Sequence, residues 1–360
     1  MAALTARRAG LGTVLIDEAS DGPRHCVGEV LAPAARRLLD HIGALRYLPS
    51  HCYIESCGTR SAWGTHALQA TDFITGALGA GLHVDRHAFN RALARAVAAG
   101  GARILAPARL VAAGRETAGW RLVVRREARH ETLAAAALVD CSGRRAIVAR
   151  QEGATHRVDE ALVAVIAWLD APGDSDLDAT LLVESAPDGW WYSTRLPGRR
   201  RVVGFVTNRR AFDPSALSVV GWRAKIDRNV HVSEVCRAHG YELRQAPSVV
   251  SASSARLDVV AGVDWVAAGD ATATFDPLSG QGILTALVSG RLAARAIAAR
   301  LAGDHGRGLD EYASGWKRVY DEYLSRRAAS YALETRWPQS PFWLGRSRGE
   351  RLEAHASVSR

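Results

Sequence analysis

Residues Trp265–Ile283, reading WVAAGDATATFDPLSGQGI, decide the fold. Val266–Ala268 is a short apolar run of strand character, and Gly269-Asp270 follows it. A glycine there lets another backbone or a ligand come close, because it has no Cβ. Asp270 presents a carboxylate at the carboxyl end of a strand, where open α/β sheets bind ligands. Asp276-Pro277 turns the chain, and Pro277 suits a first helical position. Ser279-Gly280-Gln281-Gly282 then opens a long apolar helix, expected over Pro277–Arg300. Its glycines bare the first N–H groups, so the helix start can hold an anion or a partly negative oxygen. The ring of a redox cofactor suits that place.

The segment resembles the second flavin-binding motif of flavoproteins built like para-hydroxybenzoate hydroxylase. The resemblance implies that Asp270, after Gly269, binds the ribityl chain of FAD. It implies that Gly280, Gln281, Gly282 and Ile283, after Pro277, face the pyrimidine edge of the isoalloxazine, where negative charge appears on reduction. The competing reading is an ordinary strand–turn–helix corner, which would meet the aspartate, proline and glycine spacing only by chance. The implied class is α/β: an FAD-binding doubly wound parallel sheet, interleaved with an antiparallel substrate-domain sheet and followed by C-terminal helices.

Such a fold should begin with a strand, a G-x-G-x-x-G turn and a helix. This chain begins MAALTARRAGLGTVLIDEAS. Ala2–Ala9 reads as the tail of that helix and Thr13–Ile16 as the second strand. By resemblance Asp17 falls where an acidic residue bonds the ribose hydroxyls, with Glu18 as a neighbour able to substitute. The first strand and glycine-rich turn are expected upstream of a misplaced start or lost by truncation. The nearby Gly76–Gly81 is not followed by a helix pattern.

Composition excludes several classes. The 360 residues are 48% hydrophobic and 23% charged, which is ordinary for a globular protein with room for two joined domains. The net charge of +9 is almost wholly arginine, scattered except at Arg199-Arg200-Arg201. A nucleic-acid binder would need a basic face with interleaved aromatics, so no nucleic-acid partner is expected. The five cysteines, Cys26, Cys52, Cys57, Cys141 and Cys236, show no metal-site spacing. They read as reduced thiols, most of them buried, in a cytoplasmic protein. No apolar run reads as a membrane span, and Met1–Ile16 is not a signal peptide.

The periodicities give helices at Leu31–Ile42 and Asp85–Ala99, and a strand at Ala102–Leu105. A meander follows over Arg109–Val111, Trp120–Arg125 and Thr132–Val139. Strands are expected at Leu162–Leu169, Thr180–Glu184, Gly189–Leu196 and Arg201–Thr207, and a last helix at about Leu309–Leu333. The organisation is therefore discontinuous: residues 1–50, 80–155 and 255–305 form the FAD-binding domain, 51–79 and 156–254 the substrate-binding sheet domain, and 306–360 a C-terminal helical tail.

Further motifs narrow the resemblance. They are RHCVGEVL (Arg24–Leu31), GLHVDRHAF (Gly81–Phe89), VDCSGRRAIVAR (Val139–Arg150), DGWWYSTRLP (Asp188–Pro197) and RWPQSPFW (Arg336–Trp343). Together they resemble tryptophan-halogenase-like flavoproteins, and among these the maturation flavoproteins of oxidases that carry cysteine tryptophylquinone. That implies monooxygenation of an electron-rich aromatic ring, a tryptophan of a partner oxidase being the implied substrate. Halogenases of this superfamily use an early lysine, whereas the first lysine here is Lys225. Arginine cannot readily replace it, since it stays protonated. Halogenation therefore ranks below oxygenation. A small-molecule flavin oxidoreductase, an isoprenoid reductase and an inactive truncated flavoprotein remain as alternatives. With no second dinucleotide fingerprint, electrons are expected from transiently bound NAD(P)H or a separate flavin reductase. No motif sets an oligomeric state.

Each remaining residue carries two readings. Glu29 is a general acid or base, or a carboxylate bonded to loop N–H groups. His83 orients substrate, or is a hydrogen-bonded structural histidine. Adjacent Trp190 and Trp191 face opposite sides of a strand, and Trp191 is taken as the one lining the active site. Arg24 and Arg86 pair with cofactor phosphates or form surface ion pairs. By resemblance Gly28 lies in the loop beside the flavin, and Arg144 reads as a strut for its turn.

Overall fold

The computed structural model describes residues 1–18, 27–73, 76–344 and 346. Its centre is the strand Trp265–Ala267, wholly buried and paired in parallel with Leu138–Asp140. A short strand that is apolar on both faces belongs inside a parallel sheet, where both faces are covered. A second parallel pair joins Val14–Ile16 to Arg103–Leu105. The doubly wound sheet is thus present as two parallel pairs, and no described strand bridges them.

Helices cover one side of this layer. Leu4, Leu39, Phe89, Val97 and Leu287 form one core cluster, and Val266, Ala293, Ile297, Leu309 and Trp316 another. The other side is covered by the meander and the short helix Ile147–Gln151, through Trp120, Leu122, Val148 and Ala267. The expected third meander strand, Thr132–Val139, is two elements. Arg129–Ala135 closes the meander, and Leu138–Asp140 leaves it for its parallel partner, guided by the Leu138 N–H bonded to the Asp264 carbonyl.

The long apolar helix also differs from its expected span. Pro277–Ser279 is a single 3-10 turn, and the α-helix runs Gly282–Leu301. Gly280 between them has φ +60°, which no α-helix contains. This helix is long and apolar enough to cross a membrane by length and composition. It packs instead in the core, through Leu287, Ala293, Ala294 and Ile297.

The second layer is an eight-stranded sheet built around four long strands, Leu162–Asp170, Arg200–Asn208, Gly189–Leu196 and Thr180–Ala186. Alternation gives it two faces. Val165, Trp191 and Phe205 meet Trp222 and Val232 of helices Val219–Ile226 and His231–Ala238. Ile166, Trp168, Trp190 and Tyr192 face the other way, toward Leu278, Tyr331 and Trp343. Helix Val219–Ile226 and the strands at Tyr53–Ser56, Gly58–Ala62 and Gln69–Asp72 have no clear periodicity in sequence, whereas His231–Ala238 sets Val232, Val235 and Cys236 inward at helical spacing.

The C-terminal helix, Arg307–Ala332, is tied to the large sheet just beyond its end. The Glu334 carboxylate accepts from Gly64 N–H, Ser185 Oγ and the Arg336 guanidinium. Those donors hold its pKa down at about 2 despite its burial.

Candidate functional site

Gly269 leaves the Trp265–Ala267 strand at φ +63°, in the left-handed region that favours glycine. A Cβ there would lie 3.4 Å from the Ala286 methyl, so the turn sits directly on helix Gly282–Leu301. Gly269 N–H donates to Ser289 Oγ (2.8 Å), which fixes the contact. Asp270 keeps about half of its side-chain surface accessible. Enclosure is the strongest influence on its carboxyl and raises its pKa, against Arg144 and Arg86, which lower it. Arg144 Nε lies 4.0 Å from Asp270 Oδ2, and its Nη1 donates to the Ser253 carbonyl (3.0 Å).

The loop after Asp270 is held from beneath. Asp276 is buried; its Oδ1 accepts the Leu278 N–H (2.9 Å) and its Oδ2 accepts the Tyr331 hydroxyl (2.7 Å). Its own N–H donates to the Tyr323 hydroxyl (2.8 Å). The polypeptide then reaches Gly280 and Gly282, where a Cβ would meet nothing within 4 Å. No side chain caps the helix start at Gln281. Its first N–H groups are therefore available to an acceptor, with open space in front of them.

Gly28 faces the same place. Its φ is +93°, and a Cβ on it would lie 3.7 Å from Ile283 Cδ1. The next residue, Glu29, is buried at 4% exposure. Its Oε2 accepts the Gly28 N–H (3.0 Å) and its Oε1 accepts Trp168 Nε1–H (3.1 Å). Burial pushes the carboxyl above the usual carboxylate range, while those bonds and the Arg86 charge pull it down. The Arg86 charge thus lowers both the Glu29 and the Asp270 carboxyl, while its guanidinium lies over the Phe89 ring, 5.4 Å from its centroid.

Across the cleft stand residues that sequence reasoning missed. Trp168 touches Glu29, and the Tyr192 phenol is close enough for the Glu29 charge to add to burial in raising its pKa. Tyr192 lies on Gly204, where a Cβ would come within 2.1 Å of its ring. The signal for Tyr192 was parity: Trp190, Tyr192 and Thr194 share one strand face. That parity turns Trp191 away from the cleft. It is 1% exposed and packs on Phe205 and Trp222, with centroids 4.8 and 5.2 Å apart. Trp190 is equally buried, on the opposite face of the sheet, against Tyr331 and Trp63.

His83 is fully buried, with Thr194 Oγ1 2.8 Å from Nδ1. Burial, aided by the Arg201 charge, lowers its pKa to about 4, so the ring is neutral at ordinary pH. It joins the strand Gly81–Val84 to the large sheet. Asp17 is exposed beyond the Val14–Ile16 strand, with its N–H on the Leu105 carbonyl. Glu18 is engaged by Arg145 (2.8 Å) and Arg109 (3.7 Å). Arg24 and Cys26 lie outside the described residues. The other four cysteines are free, but only Cys236 is buried, so the expectation of mostly buried thiols does not hold. Asp140 caps the turn after its strand: its Oδ2 accepts from Val148 and Ala149 N–H, which orients Cys141–Arg145 toward the Asp270 turn.

The site therefore joins Gly28–Glu29, Arg86, Gly269–Asp270 and Gly280–Ile283 around one cleft, faced by Trp168 and Tyr192. An uncapped helix start, two glycines fronting open space and an enclosed carboxylate suit a flat, anionic-edged ring carrying a polyol chain.

Comparison with known proteins agrees. A family model described as the FAD binding domain matches residues 1–326. The chain is 26% identical over 352 residues to LodB of Marinomonas mediterranea, named as an FAD-dependent oxidoreductase; the match covers 96% of this chain and 92% of LodB. It superposes on CmlS, a flavin-dependent halogenase, with a TM-score of 0.80 at 22% identity, spanning 99% of this chain and 66% of that one. It superposes on QhpG, a peptidyl tryptophan dihydroxylase essential for tryptophylquinone cofactor biogenesis, with a TM-score of 0.77 at 22% identity, over 96% of this chain and 75% of that one.

Proposed function

This chain belongs to the FAD binding domain family of oxidoreductases, and on that footing we propose that it hydroxylates an electron-rich aromatic ring, a tryptophan of a partner protein being the substrate class. The observation that carries this reading is the cleft itself. Trp168, Tyr192 and buried Glu29 face the Gly28–Ile283 contact, so an aromatic ring can lie between apolar walls with one carboxyl group beside it. FAD, when bound, supplies oxygen activation, which no side chain offers.

The chain's own residues then have defined tasks. Asp270 and the open N–H groups from Gly282 onward hold the cofactor's polar edges. Arg86 is the guanidinium offered to its phosphates, by resemblance to the family. Trp168 and Tyr192 exclude water and orient the substrate ring. Glu29 takes the proton that an aromatic carbon sheds when hydroxylation is complete, at whichever oxygen exchanges its present donor. Its raised pKa suits it to hold that proton. Electrons come from NAD(P)H directly or through a separate flavin reductase, and a cytoplasmic setting agrees with free thiols. Halogenation is supported by the shared fold with CmlS but not by the side chains, since no lysine precedes Lys225.

The test is mass spectrometry of a tryptophan-bearing partner oxidase co-expressed with this chain. Oxygen addition at one tryptophan, lost with Glu29→Gln, is the expected result. A flavin-loaded chain that leaves the partner's mass unchanged would refute the substrate class.

A further inference from the structure

The cleft-side face of the large sheet carries more indole and phenol rings than a hydroxylation site uses. Starting at Tyr192, the next ring is Trp190, 6.1 Å away between centroids. Trp190 is 6.3 Å from Trp63, which is 5.4 Å from Trp343 and 5.7 Å from Tyr331. Trp343 is 6.1 Å from Trp337, which is half-buried near the surface beneath the Arg336 guanidinium. The rings thus run without a break from the cleft toward solvent.

Packing alone accounts for edge-to-face rings, each pair being worth about 0.5–1.5 kcal/mol. It does not account for the polar atoms among them. Trp190 Nε1–H donates to the Tyr331 hydroxyl (3.0 Å), and that hydroxyl donates to Asp276 Oδ2 (2.7 Å). A phenylalanine at 331 would fill the core without burying a phenol–carboxylate pair, which is costly to desolvate. Burial raises the Asp276 pKa to about 6, close to the range where it can accept a proton at neutral pH.

We propose that Tyr192, Trp190, Trp63, Trp343 and Trp337, with the Tyr331–Asp276 pair at their side, form a hole-hopping ladder that drains oxidising equivalents from the cleft to the surface. An oxygen-derived one-electron oxidant formed in the cleft takes an electron from Trp190 across the adjoining Tyr192 ring and is reduced by it, leaving an indole radical cation. One electron then moves inward at each step as the hole moves outward. When the hole visits Tyr331, one electron leaves its ring and the phenolic proton passes to Asp276 Oδ2. Phenol and carboxylate become a neutral phenoxyl radical and a carboxylic acid, and the reverse transfer restores them. At Trp337 a low-molecular-weight thiol returns one electron and gives its proton to water. A misfired turnover thus ends at a soluble thiol and leaves the substrate-facing rings intact. The oxidant's source rests on the flavoprotein reading; the path does not.

Two measurements test the ladder separately from that reading. In the flavin-free full chain, pulse radiolysis with azide radical oxidises indoles directly. A slow phase is expected in which indolyl absorbance falls as phenoxyl absorbance rises, at a rate independent of protein concentration. Tyr331→Phe should remove the share of it that ends on Tyr331, leaving only the shares of Tyr192 beside Trp190 and Tyr312 beside Trp316, while Asp276→Asn should slow it. In the FAD-loaded chain, flash excitation of the flavin should give a long-lived aromatic radical. Trp63→Phe and Trp343→Phe should each shorten its lifetime at least about tenfold. Circular dichroism checks that each variant is folded. An unchanged slow phase in Tyr331→Phe, or equal lifetimes in all loaded proteins, would overturn the ladder. Failure to load FAD would count against the proposed function alone, and the radiolysis result would still decide the ladder.

Discussion

Asp270 and His83 show how surroundings give two titratable side chains opposite duties. Asp270 keeps its side chain about half exposed, so its hydrogen-bonding capacity is available to a ligand. A charged hydrogen bond of this kind contributes about 1.5–3 kcal/mol, so Asp270→Asn should weaken FAD binding roughly ten- to a hundredfold in a fluorescence titration. Equal dissociation constants would remove Asp270 from the cofactor site. His83 has no such opening. Its folded-state pKa of about 4 lies below the ordinary histidine value, because burial disfavours the charged ring. The unfolded chain therefore binds the extra proton first as pH falls. The stability of neutral His83 is complete above about pH 6.5, is lost as pH drops toward 4, and changes no further below that. The loss amounts to about 3 kcal/mol at most. Urea unfolding across that range should show this slope, and His83→Gln should flatten it.

At the scale of elements, strand parity decides which aromatic serves which layer. Trp191 belongs to the face packed on helix Val219–Ile226, so Trp191→Ala should cost about 3–5 kcal/mol of stability. Its effect on flavin affinity should be small by comparison. A variant that keeps full stability but loses flavin would reverse that assignment. The parity was legible in DGWWYSTRLP, but not which face met the cofactor layer. That depends on partners far along the chain, such as Glu29 for Trp168 and Tyr331 for Trp190. Strand–turn–helix chemistry at Trp265–Ile283 was legible because its glycine, aspartate and proline act locally. The helix start was misjudged by five residues because the left-handed turn at Gly280 can follow proline as readily as a helix can. The strands Tyr53–Ser56 and Gly58–Ala62 were obscured because they pair with distant partners rather than alternate cleanly, and Gln69–Asp72 because it is exposed throughout.

For the whole molecule, the cleft is assembled from segments far apart in sequence: Gly28–Glu29, Arg86, Asp270 and Gly280–Ile283. None of them forms the site alone, so the unfolded chain has no cofactor site to offer. A ligand that binds only the folded state stabilises it by about 2.7 kcal/mol at a hundred times its dissociation constant. Saturating FAD should therefore raise the melting temperature by several degrees, on the scale of a few degrees per kcal/mol for chains of moderate length. Asp270→Asn should shrink that shift at equal FAD, since the shift follows affinity. Trp191→Ala should lower the baseline melting temperature yet leave the FAD-induced rise intact, because it loosens the far face of the sheet. Scanning calorimetry of the three proteins with and without FAD separates these effects. A rise that vanishes in Trp191→Ala but persists in Asp270→Asn would mean that the cofactor site lies on the opposite face of the large sheet.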